Sequence, residues 1–80
     1  MPKPPPKRLP SDLPRAKVLA AVRRLGFALD REGGNHSVYK DPADPSRLMV
    51  IPRHSPIKKH LLRGILAGVG VSEEDFMARY

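Results

Sequence analysis

The chain reads as an α+β layer: a helix, three short antiparallel strands, a second helix and a short terminal helix, with helices on one face of the sheet. Three observations predict this. Val18, Val22 and Leu25 recur at helical spacing, widened by Leu19 and Ala21. Leu61, Leu62, Ile65, Leu66 and Val69 form a second stripe of the same period. Between the stripes lie three strand-like runs separated by short turns, the arrangement of an antiparallel meander. With 80 residues the chain makes one domain at most, and no internal repeat is visible.

Residues 1–10 hold five prolines with Lys3, Lys7 and Arg8. Proline removes backbone donors, so this stretch reads as a disordered or polyproline-like basic arm, and the domain is expected over residues 11–80. Ser11 or Asp12 suits a helix N-cap, with Pro14 in the first turn. Gly26, after Arg23-Arg24-Leu25, suits a left-handed helix end. Phe27 to Arg31 alternates as a strand, Gly33 and Gly34 turn the chain, and His36 to Lys40 returns as a second strand. Asp41-Pro42-Ala43-Asp44-Pro45-Ser46 reads as a loop, and Leu48-Met49-Val50-Ile51 as a third strand ending at Pro52. The second helix opens at Ser55-Pro56 or as late as Lys59. Gly64 and Gly68 weaken it by roughly 1 kcal/mol each against alanine, and close packing on the sheet is the expected reason for them. Gly70 ends it. Ser72 then caps a short helix with acids in its first turn, which returns Phe76 and Met77 to the core.

Fifteen Lys and Arg against eight Asp and Glu give a net charge of +7. The excess is local: between Asp44 and Glu73 there is no acid, while Arg47, Arg53, Lys58, Lys59 and Arg63 stand there with His54 and His60. Such a patch is the footprint of a nucleic-acid surface. A chain this short buries only about 60% of its unfolded surface, so a shallow site or a large partner fits better than an enclosed pocket. With no cysteine, neither disulfides nor thiolate metal sites are available, which is compatible with the cytoplasm. No apolar run approaches the ~18 residues of a membrane span, and the first residues do not read as a signal peptide.

Chemistry concentrates at Gly33-Gly34-Asn35-His36-Ser37. A histidine fixed beside a glycine turn is able to move a proton near neutral pH. The open N–H groups of Gly33 and Gly34 would favour an anion, and among cations Lys40, Arg53 and Lys59 are candidates to stabilise developing phosphorane charge. RNA carries its own nucleophile, the 2′-hydroxyl, so such a site needs a base, charge stabilisation and an acid; His36 fits either proton-transfer role. Strand phase leaves two arrangements. If Tyr39 faces the core, His36 and Lys40 share the open face; if Val38 is buried, His36 lies at the rim of the helical face. Asp30 and Glu32 flank the turn, either to orient His36 or to balance Arg31 and its neighbours. His54 suits a phosphate contact, and His60 faces water. Three histidines without a close carboxylate pair make no convincing metal site, and no cofactor is expected. Serine–histidine–acid, phosphate-loop and dinucleotide spellings are absent.

Four segments together resemble the HicA-like mRNA interferase toxins: Leu25-Gly26-Phe27, Gly34-Asn35-His36, Val50-Ile51-Pro52-Arg53-His54-Ser55, and Leu62-Arg63-Gly64-Ile65-Leu66 followed by Val69-Gly70-Val71-Ser72. They run in family order from about Lys17 to Phe76. Ser37 stands where relatives commonly carry a second histidine, and Asn35 where serine is frequent. The resemblance implies a fold like the double-stranded-RNA-binding domain. It also implies His36 as the catalytic histidine, mRNA cleavage that inhibits translation, and a HicB-type antitoxin masking the basic face. The expected RNA surface comprises Gly33, Gly34, Lys40, Arg53, His54, Lys59 and Arg63. Two other functions suit the same residues: a non-catalytic RNA-binding module of this fold, and a basic protein-interaction domain.

Overall fold

Residues 8–80 are described by a computed structural model, so most of the expected arm lies outside the described residues. Leu9, expected within that arm, is instead 4% exposed and belongs to the hydrophobic core. The next residues depart from expectation as well. Asp12–Leu13 form a strand, β1, rather than a helix cap. This strand pairs antiparallel with β5 (Ile57–Lys58), setting Leu13 opposite Ile57, both fully buried. The two-residue ribbon overrides the capping preference of Asp12, whose carboxylate pairs with Lys58 across it at 2.8 Å.

Helix α1 (Arg15–Arg24) therefore begins behind Pro14, which has no side-chain oxygen to offer the first amides. The Arg15 N–H donates instead to Ser55 Oγ at 3.1 Å, a cap delivered from forty residues away. The helix ends as expected at Gly26, with φ +101°. Gly26 N–H bonds the Arg23 carbonyl and Phe27 N–H the Val22 carbonyl, the paired bonds of a Schellman motif.

Strands β2 (Ala28–Glu32), β3 (His36–Asp41) and β4 (Asp44–Pro52) form the antiparallel sheet in the order β2-β3-β4. The expected six-residue loop shrinks to a turn at Pro42-Ala43. Asp41 Oδ1 accepts from Ala43 N–H at 2.9 Å, and Asp44 Oδ1 from both the amide and the hydroxyl of Ser46. Pro45 is tolerated within β4 because that strand lies at a sheet edge. Tyr39 opposes Met49 and Ser37 opposes Ile51 on the face that meets the helices.

Helix α2 (Lys59–Gly68) takes the later of its two expected starts, because Ile57–Lys58 are held in the ribbon with β1. Leu62 and Leu66 bury its inner face. Gly64 and Gly68 do not serve close packing on the sheet: a Cβ built at either would meet nothing within 4 Å. Gly70, at φ +73°, closes the helix with a second pair of Schellman bonds, to Ala67 and from Val71 N–H to the Leu66 carbonyl. Helix α3 (Glu73–Arg79) starts at Ser72, whose Oγ accepts from Asp75 N–H at 3.0 Å, and inserts Phe76 fully into the core. The result is an α+β layer of three helices and a three-stranded antiparallel sheet, consistent with the double-stranded-RNA-binding-domain type. Among the described residues no helix is long and apolar enough to cross a membrane.

Candidate active site

The strand phase resolves in favour of Tyr39. Its ring belongs to the core at 1% exposure and its hydroxyl accepts from Arg23 at 3.2 Å, so base stacking by Tyr39 is not available on the open face. Val38 is also buried, but outside the core cluster: it sits mid-way along the central strand, with Arg31 and Val50 opposite it on either side. Residues His36, Val38 and Lys40 therefore share the face turned away from the helices, and His36 is exposed at its edge.

A β-bulge between Leu29 and Arg31 adds Arg31 to that face. Simple alternation from Phe27 and Leu29 would place Arg31 with the core-facing set; the extra residue, Asp30, reverses the phase. Lys40 Nζ lies 3.3 Å from Asp30 Oδ1, so Asp30 balances Lys40 rather than orienting His36.

The hairpin leading into His36 is tightly closed. Gly33 N–H donates to the His36 carbonyl at 2.8 Å, so it is not the open anion donor that the sequence suggested. The reason for glycine is steric: a Cβ on Gly33 would lie 3.1 Å from that carbonyl and 4.0 Å from His36 Cδ2. A Cβ on Gly34 would meet nothing.

Arg53 clamps this turn from β4's exit. Its guanidinium donates to Glu32 Oε2 and to the Gly33 carbonyl at 3.0 Å, and its own N–H bonds the Asn35 carbonyl at 3.0 Å. The Glu32 carboxyl is held below its usual range, first by hydrogen bonding from Ser37; burial, next in size, opposes this, and the positive charges of Arg53 and Arg15 and the hydrogen bond from Arg53 lower it further.

Ser37 faces the helices at 1% exposure, on the side opposite His36. Its hydroxyl accepts from Arg15 Nη2 at 2.8 Å, and Arg15 Nε donates to the Pro52 carbonyl at 2.6 Å. Position 37 is therefore part of the support beneath the turn. Arg15 was not visible as a site residue in the sequence, where it reads only as a polar residue at a helix start.

The remaining cations are dispersed. Arg63 pairs with Glu73 at 2.8 Å, which directs it toward the start of α3. His54 Nδ1 lies 3.3 Å from the Pro56 carbonyl in the loop after β4. Lys59 is half-buried at the start of α2 and, like Arg31, has no acidic partner among the described residues. His60 is exposed, as expected, and with Leu48, Val50, Leu61, Gly64, Ile65 and Gly68 it lines an open groove of about 450 Å³ between β4 and α2. Leu48 and Val50 oppose Lys40 and Val38, so the groove continues the open sheet face.

A family model described as "HicA toxin of bacterial toxin-antitoxin" matches residues 15–71. The chain belongs to the HicA toxin family. A search of curated proteins found no match. The HicA match begins at Arg15 and spans the whole sheet, the glycine turn, His36 and α2. Membership in a toxin–antitoxin family points to toxin function and implies an antitoxin partner. Leu9 and β1 complete the HicA core from outside the matched stretch.

Proposed function

We propose that this HicA protein is an endoribonuclease toxin that cleaves mRNA and so inhibits translation, with His36 as its proton-transfer residue. The observation that carries the reading is the exposure of His36 on the open sheet face, in one row with Lys40 and beside Arg31. An RNA strand lying across that face meets a cationic, partly apolar surface with an imidazole at its edge. His36 takes the proton from a 2′-hydroxyl; the oxygen attacks the adjacent phosphorus; the bond to the 5′-oxygen breaks. A cyclic phosphate and a 5′-hydroxyl result, the latter taking its proton from solvent. Lys40 and Arg31 offset the charge that develops on phosphorus oxygens. The Lys40–Asp30 pair is exposed, worth at most about 1 kcal/mol, so a phosphate readily replaces the carboxylate. Arg53 and Gly33 shape the turn, while Lys59 and Arg63 add positive charge from elsewhere on the surface.

The apolar groove beside this face supports the antitoxin part of the reading. Leu48, Val50 and Leu61 are exposed by 41%, 47% and 37%, a grouping that RNA does not require and a protein partner would cover. A partner seated there would lie next to His36 and exclude RNA.

Inducible expression of the native and His36→Ala proteins, with transcript integrity followed, tests the proposal. General acid–base catalysis contributes about 10²–10⁴-fold, so the variant should lose cleavage and growth inhibition while keeping RNA affinity. A chelator should leave cleavage by the native protein unchanged. If the native protein binds RNA without cleaving it, the chain is a binding module and not a nuclease; if His36→Ala cleaves like the native protein, His36 is not the proton-transfer residue.

A further inference from the structure

We infer that Arg15 is the positioning residue of this site, fixing His36 from the far side of the sheet; the catalytic consequence rests on the nuclease reading above. One guanidinium grips both neighbours of the histidine. Nη2 holds Ser37, the next residue along β3, at 2.8 Å; Nε holds the carbonyl of Pro52, the residue paired with His36 across the ladder, at 2.6 Å. The Arg15 backbone is anchored in turn, since its N–H donates to Ser55 Oγ at 3.1 Å.

The grip extends to the glycine turn. Glu32 lies opposite Ser37 in the β2–β3 ladder and receives Arg53, which also holds the carbonyl of Gly33. Arg15, Ser37, Glu32 and Arg53 thus adjoin one another under and around the hairpin. It links the start of α1 to the end of β2, the start of β3 and the exit of β4. A planar fork is what the two acceptors require. Lysine keeps the charge but supplies a single point donor and cannot hold both in fixed geometry. A serine at position 37 suits this role, because its hydroxyl accepts from Arg15.

Arg15→Lys and Ser37→Ala test the inference, since neither changes net charge. In RNA-cleavage assays each should lower kcat by about 10-fold or more with KM within twofold, because misplacement of a catalytic group by about 1 Å can cost 10²-fold. The double variant should be no worse than the more damaged single one. Proton-exchange NMR provides a readout independent of cleavage. Both variants should shift the His36 imidazole resonances and lower the protection of the Gly33 amide, leaving the α2 amides protected as in the native protein. Unchanged His36 and Gly33 signals in Arg15→Lys overturn the inference whether or not the protein cleaves RNA. Shifted signals with native kcat confine Arg15 to structural support and overturn its role in positioning for catalysis. Failure of the nuclease reading is seen separately, as absence of RNA cleavage by the native protein.

Discussion

Glu32 shows how a single side chain ties the hairpin to the pH of the solution. Its carboxyl is held below the ordinary range by Ser37, Arg53 and Arg15, so in the folded protein it binds a proton less readily than in the unfolded chain. The unfolded state therefore takes up more protons across this range, and stability rises with pH there. The contribution is present above the unfolded carboxylate value of about 4.3 and is lost as the pH falls through the lowered native value. Urea midpoints measured from acid to neutral pH should show a weaker acid dependence in Glu32→Gln than in the native protein. Asp44, lowered mainly by its bonds to Ser46, sustains a residual slope. Identical slopes in both proteins would show that Glu32 does not carry the linkage. His36, Lys40 and Arg53 were all visible as types in a pattern. Arg15 and Arg31 were not, because one reaches the site through the fold and the other through a bulge.

At the level of the elements, glycine has opposite consequences in different places. Gly26 ends α1 in the left-handed region, where a Cβ is strained, whereas Gly64 and Gly68 lie within α2 facing open space. Gly26→Ala should destabilise the protein by roughly 1–2 kcal/mol. Gly64→Ala and Gly68→Ala should each stabilise it, by about 0.5–1 kcal/mol, since helix propensity improves and nothing is struck. Chemical denaturation of the three variants checks the signs; a loss of stability in the α2 variants would mean that the groove is closed by a neighbour in solution. Both helix ends were legible in advance, because a Schellman ending is local and glycine announces it. The start of α1 was not. Ser11 and Asp12 have the chemistry of a cap, but pairing of Leu13 with Ile57 buries two large side chains, and that tertiary gain outweighs a capping bond of about 1 kcal/mol.

For the molecule as a whole, charge and apolar surface divide the work expected of a toxin with two successive partners. Under the proposed function the net charge of +7 would attract RNA over distance, while Leu48, Val50 and Leu61 offer a contact that salt does not weaken. RNA affinity should fall steeply with added salt, with a logarithmic slope of roughly 0.7 per phosphate contacted in a single strand. A titration between low and physiological salt checks this. A flat response would remove RNA as the ligand and favour a basic protein-interaction domain. Antitoxin binding through the apolar groove should show the shallower dependence of the two.

By itself, the order of residues determined the α+β class, the helical stripes, the helix endings, the sheet and the location of a histidine beside a glycine turn. These are properties of local periodicity and of backbone freedom, and a short window of chain contains them. Tertiary structure alone decided that Leu9 belongs to the core and that Gly33's amide is spent inside the hairpin. It also decided that Arg31 turns to the open face and that Arg15 stands behind His36. Each of those depends on which distant backbone groups meet. Arg15 is separated from Ser37 and Pro52 by 22 and 37 positions, a distance over which no periodic pattern in the sequence carries information.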